Sequence, residues 1–225
     1  MKTHTTLRIF WILLSIVLGF AATTTASSAD NKIQDPLTED RTSNILNTES
    51  PRERVPGDNE AVYGPIPKAE QIFHIEFLEI APSPIEVDKY FFILLRGSIP
   101  PPTRRELHLG PAHLASATLS ITISAILENG DKLEPRTYYR IPLRTAEHAE
   151  GAHLAIRNAT GAYVDHMALE GRNDVLVDAW IPAIFVTTGM WTFEVVASLG
   201  CNWGEERRYL FALTLTQWLE SNDRW

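Results

Sequence analysis

The residues able to do chemistry fall in a few short stretches. "EHAEGAH" carries His148, Glu150 and His153, and "HLGPAH" carries His108 and His113. Neutral imidazole and carboxylate are ligands that suit zinc. The histidines stand five apart in each stretch, so a helix would not bring them to one face, and both stretches read as solvated loops. Cys201 lies in "LGCNWGEE", a hairpin-like turn where Glu205 and Glu206 disfavour the thiolate that a nucleophile needs. Asp165-His166 lacks a partnered serine. There is no Gly-x-Ser-x-Gly elbow, no glycine-rich phosphate loop and no His-Glu-x-x-His pattern. These residues predict no enzyme, no cofactor and no metal site. Asn158-Ala159-Thr160 is a sequon, which in a secreted chain predicts a glycan on an exposed loop.

The opening of the chain bears on secretion. Lys2 and Arg8 precede the apolar run "IFWILLSIVLGF", and small residues follow as far as "TASSAD". That order predicts a signal peptide over residues 1–26, with the run too short for the roughly 20 apolar residues of a membrane span. The product is expected to be secreted or delivered to a vacuolar or lysosomal lumen. Without residues 1–26 the charge is 18 − 28 = −10. Phosphate backbones would repel such a chain, so nucleic acid is excluded as a partner. A single cysteine permits no internal disulfide, so either burial alone holds the fold or Cys201 pairs with another chain; a monomer is expected.

Residues 27–71 are polar and proline-punctuated, and read as a disordered leader. Beyond them apolar residues alternate. "QIFHIEFLEI" alternates at Phe73, Ile75 and Phe77, and "SATLSITISAILE" at Leu119, Ile121, Ile123, Ala125 and Leu127. "NDVLVDAWIP" sets Val175, Val177 and Ala179 to one side, and "MWTFEVVA" does so with Trp191, Phe193, Val195 and Ala197. "RYLFALTLTQWL" adds Tyr209, Phe211, Leu213 and Leu215. "DKYFFILLRG" is apolar at both parities, as in a strand buried on both faces. "NGD" at 129–131 signals a hairpin. Only "AEHAEGAHLAI" suggests a short helix. The pattern predicts an all-β fold over 72–221, an immunoglobulin-like antiparallel β-sandwich of two sheets with seven or eight strands. One connection is out of character: in "IPAIFVTTG" the positions of a solvated turn are filled by Ile184, Phe185 and Val186.

Two stretches carry a family likeness. "IEFLEIAPSPIEVDKYFFILLRGSI" resembles the opening of the ML lipid-recognition domain, with Pro82 and Pro84 in the link between two strands and Gly97 closing the second. "VLVDAWIPAIFVTTGMWTFEVVASLG" is similar to the family's strand, Ile-Pro loop and aromatic-rich strand. The family includes phosphatidylglycerol/phosphatidylinositol transfer proteins and lysosomal sterol-binding proteins. Its usual disulfides have no counterpart here. The resemblance implies that the sheets splay around a sterol, fatty acid or phospholipid. It implies lipid-binding residues Phe77, Phe91, Ile121, Ile123, Val177, Trp191, Phe193 and Phe211, with Ile184, Phe185 and Val186 at a mouth that touches membranes transiently. A reading of a different class stays open: a solid-cored sandwich that recognises a protein through the same apolar loop. Trp180, of outward parity, is the one candidate for a carbohydrate platform.

Overall fold

The computed structural model describes residues 53–148, 152–200 and 207–221, all within the unit Thr48–Trp225. The expected signal peptide, the leader up to residue 52, Glu150 and Cys201 lie outside the described residues. Two sheets stack as an all-β sandwich. The strands are β1 (Gly57–Asp58), β2 (Val62–Tyr63), β3 (His74–Ala81), β4 (Tyr90–Ser98), β5 (Thr118–Leu127) and β6 (Lys132–Pro142). They continue with β7 (Ala146–His148), β8 (Ala152–Arg157), β9 (Tyr163–Val164), β10 (Arg172–Trp180), β11 (Gly189–Leu199) and β12 (Arg208–Leu219). One sheet runs β1-β3-β4-β10-β8-β7, with β9 on β8, and the other runs β2-β12-β11-β5-β6. Pairing is antiparallel throughout except between β1 and β3. The eight strands of six residues or more match the expected seven or eight.

Four expectations change on the structure. "AEHAEGAHLAI" forms β7 and β8 rather than a helix, because Leu154 and Ile156 alternate into the core and β8 pairs with β10. The helical turns are instead α1 (Pro101–Glu106) and α2 (Pro111–Ala115), each started by proline in its first turn. β4 is buried on one face only, since Tyr90 and Phe92 are exposed. A bulge between Ile75 and Phe77 resets the alternation of β3: Ile75, Leu78 and Ile80 face the core, while Phe77 stands opposite Arg96 on the outer face.

The fourth change is at the leader. Residues 53–71 are part of the sandwich, with Val55, Ala61 and Tyr63 in the main core. Apolar residues are sparse there, and backbone pairing carries the segment. Leu78 N–H donates to Pro56 O at 2.7 Å, and Tyr63 N–H to Glu53 O at 2.9 Å. The buried Asn59 side chain donates to Leu78 O at 2.9 Å and accepts from Ala61 N–H at 2.9 Å. Gly57 has φ +121, and a Cβ there would stand 2.1 Å from Leu78 O, so only glycine fits.

An ionic row pins the sheet of β4, β10 and β8. Asp174, with its side chain 4% exposed, pairs across β10 with Arg96 of β4 and Arg157 of β8. Arg96 Nε lies 2.8 Å from Oδ1, Arg157 Nη2 3.4 Å from Oδ2, and Arg172 Nε 3.5 Å from Oδ1. Burial opposes ionisation of Asp174, but the Arg96 hydrogen bond and charge, with Arg172 and Arg157, outweigh it and hold the carboxyl below its ordinary value. A depressed carboxylate stabilises the fold above its unfolded value of about 3.9, and that contribution is lost as pH falls through the lower folded value.

Two outcomes follow from these contacts. Asn59→Ala should lower stability by about 1–3 kcal/mol in urea unfolding, because buried partners lose their bonds, and a chain starting at Ile72 should melt well below one starting at Glu53. Equal melting would show the segment to be dispensable. Asp174→Asn should lower the melting temperature at pH 7, and by progressively less as pH falls below the unfolded value of about 3.9; a loss independent of pH would remove the carboxylate from the account.

Candidate functional site

The chain crosses from one sheet to the other between Trp180 of β10 and Gly189 of β11. Pro182 precedes a single 3-10 turn, Ala183–Phe185, closed by Phe185 N–H to Pro182 O and Val186 N–H to Ala183 O, both 3.0 Å. Neighbours hold this crossing on all sides. Asp88 donates its N–H to Ile181 O at 2.9 Å and accepts from Ala183 N–H at 2.8 Å. Glu128 N–H donates to Thr188 O at 2.9 Å, and Trp191 Nε1 to Thr187 O at 2.9 Å. Gly189 is required by close approach, since a Cβ would lie 2.6 Å from Ile126 O.

The three apolar residues of the crossing part company. Ile184 is 77% exposed and Phe185 42%, as a rim requires, but Val186 is 6% exposed. Val186 is therefore corrected from rim to core: the 3-10 turn rotates it inward, where it packs with Val87, Ala125, Trp191 and Leu219 in a second cluster.

Inward parity sets Leu119, Ile121, Ile123 and Ala125 of β5 opposite Ala197, Val195, Phe193 and Trp191 of β11. On the other side of β11, Leu215 pairs with Phe193 and Leu213 with Val195. The ends of these columns are buried, at Trp191 and Ala125 near the crossing and at Ala197, Leu119 and Phe211 farther away. Between them Leu215, Phe193, Ile123, Val195 and Ile121 remain partly exposed. The facing sheet repeats the pattern: Phe91, Leu95 and Val175 are buried, while Ile93, Val177 and Ala179 are partly exposed. Buried residues accordingly divide into a main cluster and the second one at the crossing, with Ile181 packed against both. The partly exposed residues pack against these clusters, Ile93, Val177, Val195 and Leu215 against the main one and Ile123 and Phe193 against the second. Of the predicted set, Phe91, Ile121, Ile123, Val177, Trp191, Phe193 and Phe211 face this interior, Phe77 faces out, and Ile184 and Phe185 cap the end.

Sequence reasoning placed Trp180 on the outer face but missed its neighbours there and the row on the opposite sheet. Tyr90 and Trp180 are directly paired and exposed, with Phe92 two residues along. On the opposite sheet Trp218, Met190 and Ile126 form one exposed row. With Ile184 and Phe185, eight of the ten exposed large apolar side chains among the described residues surround this end. The missed signal is parity: each alternates with an inward residue.

Of the predicted histidines, His113 and His153 hold separate partners. His113 Nδ1 accepts from Gly110 N–H at 2.9 Å within α2. His153, on the outer face, lies 3.0 Å from Asp178 and 3.4 Å from Glu147, and the Asp178 hydrogen bond raises its pKa. No group of three or more His, Cys, Asp or Glu could hold a metal among the described residues. A pocket of about 440 Å³ opens at the other end of β3, lined by Tyr63, Lys68, Gln71, His74, Pro100 and neighbours, and contains none of the predicted lipid-binding residues. Lys68 there pairs with Glu53 at 2.5 Å and sits 4.8 Å from the Tyr63 ring centroid. Asn158 Oδ1 accepts from Thr160 Oγ1 at 2.7 Å and from Ala162 N–H at 3.1 Å in the turn before β9.

No protein-family model matches the sequence, and no curated protein matches it. Among solved structures, a family 123 glycoside hydrolase from Clostridium perfringens is similar over 60% of this chain and 21% of that chain, at 8% identity and a TM-score of 0.28. This likeness is too slight to bear on function.

The split between rim and core is measurable. Ile184→Asp should change stability by no more than about 0.5 kcal/mol. Val186→Asp should cost about 3 kcal/mol or more by burying an unpaired charge. Equal tolerance of both would place Val186 at the surface.

Proposed function

We propose that this protein is a lipid carrier of the ML type, which holds one sterol, fatty acid or phospholipid between its sheets and performs no chemistry on it. The observation that carries this reading is the partly exposed inner row Leu215–Phe193–Ile123, facing Ile93 and Val177 and lying between two buried clusters. An acyl chain or sterol laid along that row would bury apolar surface worth about 0.8 kcal/mol per methylene. Ile184 and Phe185 would shield a tail as it passes the crossing, while Val186 and Trp191 keep the second cluster closed beneath them. On this reading the chain is a secreted monomer, and a glycan on Asn158 would sit in the turn before β9, away from the crossing.

Native mass spectrometry of the secreted chain should show a bound lipid that organic extraction removes. Val195→Phe and Val177→Phe should abolish that adduct with little change in melting temperature, because the added ring occupies room the lipid would take. In a filled core the same substitutions would cost about 1–3 kcal/mol by overpacking. Destabilised variants together with a lipid-free wild type would favour the solid-cored recognition module.

A further inference from the structure

We infer that the end of the sandwich around the 181–188 crossing docks on a zwitterionic, choline-bearing lipid surface, through an aromatic collar that spans both outer sheet faces. The inference rests on the carrier reading for its purpose but on separate residues for its evidence. Tyr90 and Trp180 stand side by side on one outer face, Trp218 and Met190 on the other, and Ile184 and Phe185 at the tip between them. Exposed apolar side chains scattered singly need no explanation, whereas concentration at one end does. A collar distributed over opposite faces cannot be covered by one flat partner. A fluid interface closes around such a protrusion, and Trp and Tyr are the residues that settle at headgroup level.

The charges nearby select the headgroup. Glu86, Asp88, Glu128, Asp131, Asp178 and Glu220 flank the collar in sequence or register, against Lys89 and Lys132. Lys89 pairs with Glu86, and His153 lies 3.0 Å from Asp178, which leaves Asp88, Glu128, Asp131 and Glu220 against Lys132. This excess of carboxylates repels anionic lipid. It favours quaternary ammonium groups, which aromatic faces also attract. Phosphatidylcholine offers that cation at the outermost layer of the bilayer.

The full chain should sediment with phosphatidylcholine vesicles, and replacing a third of the lipid by phosphatidylglycerol should weaken binding several-fold at low salt. Trp180→Ala with Trp218→Ala should weaken binding at least tenfold, while Tyr at both positions should restore most of it. Circular dichroism and any co-purified lipid should be the same in all three proteins. The inference is overturned if the wild type does not sediment, if phosphatidylglycerol strengthens binding, or if the Ala pair binds as well as wild type. It is equally overturned if the collar proves to mediate self-association or retention on immobilised glycans without vesicle binding. A chain that binds vesicles but carries no internal lipid would instead strike the carrier reading and leave this one standing.

Discussion

Sheets packed face to face lie about 10 Å apart, and the chain has to span that distance between Trp180 and Gly189. What fills this crossing decides whether the interior is open or closed at that end. The 3-10 turn resolves the problem by dividing three consecutive apolar residues: Val186 turns in to join Trp191 and Leu219, and Ile184 and Phe185 stay out. The division depends on anchorage, because Asp88, Glu128 and Trp191 fix the backbone on three sides. A floppy crossing would let Phe185 fold over the same cluster. The apolar rim is thus held in place by polar bonds from elements that themselves belong to both sheets.

On the carrier reading, an interior kept open for a ligand would be less stable, since dispersion contacts and burial would be forfeited there. With one cysteine, no internal disulfide can offset that loss. Two features far from the inner row supply stabilisation instead. Residues 53–63 add Val55, Ala61 and Tyr63 to the main core and satisfy the backbone of Leu78. Asp174 joins three strands through Arg96 and Arg157. Gly57 and Asp58 of the first feature and Asp174 of the second lie on the sheet that also bears Ile93 and Val177, whereas Val62 and Tyr63 pair with β12 of the other sheet, so the first feature ties both sheets.

How much of this was legible in the sequence follows from which forces act locally. Alternation at Val175, Val177 and Ala179, and at Trp191, Phe193, Val195 and Ala197, is a period-2 signal, and both strands and their inward faces appear as read. Phe77 was misplaced because a bulge is a pairing event, and nothing in "HIEFLEI" marks which residue is the extra one. The segment from Glu53 looked unstructured because it joins the fold through backbone bonds and one asparagine, which carry no hydrophobic period. Val186 was misassigned because a three-residue 3-10 turn reorients side chains in a way that composition does not record.

The collar was illegible for a different reason. Tyr90, Met190 and Trp218 each sit one residue from an inward apolar neighbour or at a strand end: the stretch of Tyr90 reads as buried on both faces, and those of Met190 and Trp218 read only for their inward alternation. Only pairing shows that Tyr90 meets Trp180 and that Met190 lies between Trp218 and Ile126. An antiparallel sheet with a solvated outer face normally alternates apolar in and polar out, as Thr192 and Thr216 do one turn of the pleat farther along. That alternation holds at Thr192 and Thr216 and fails beside the crossing, at Met190 and Trp218 on one sheet and at Tyr90 and Trp180 on the other. A core could not gain from outward apolar residues at that position. Their placement makes physical sense where the surrounding medium is itself less polar than water.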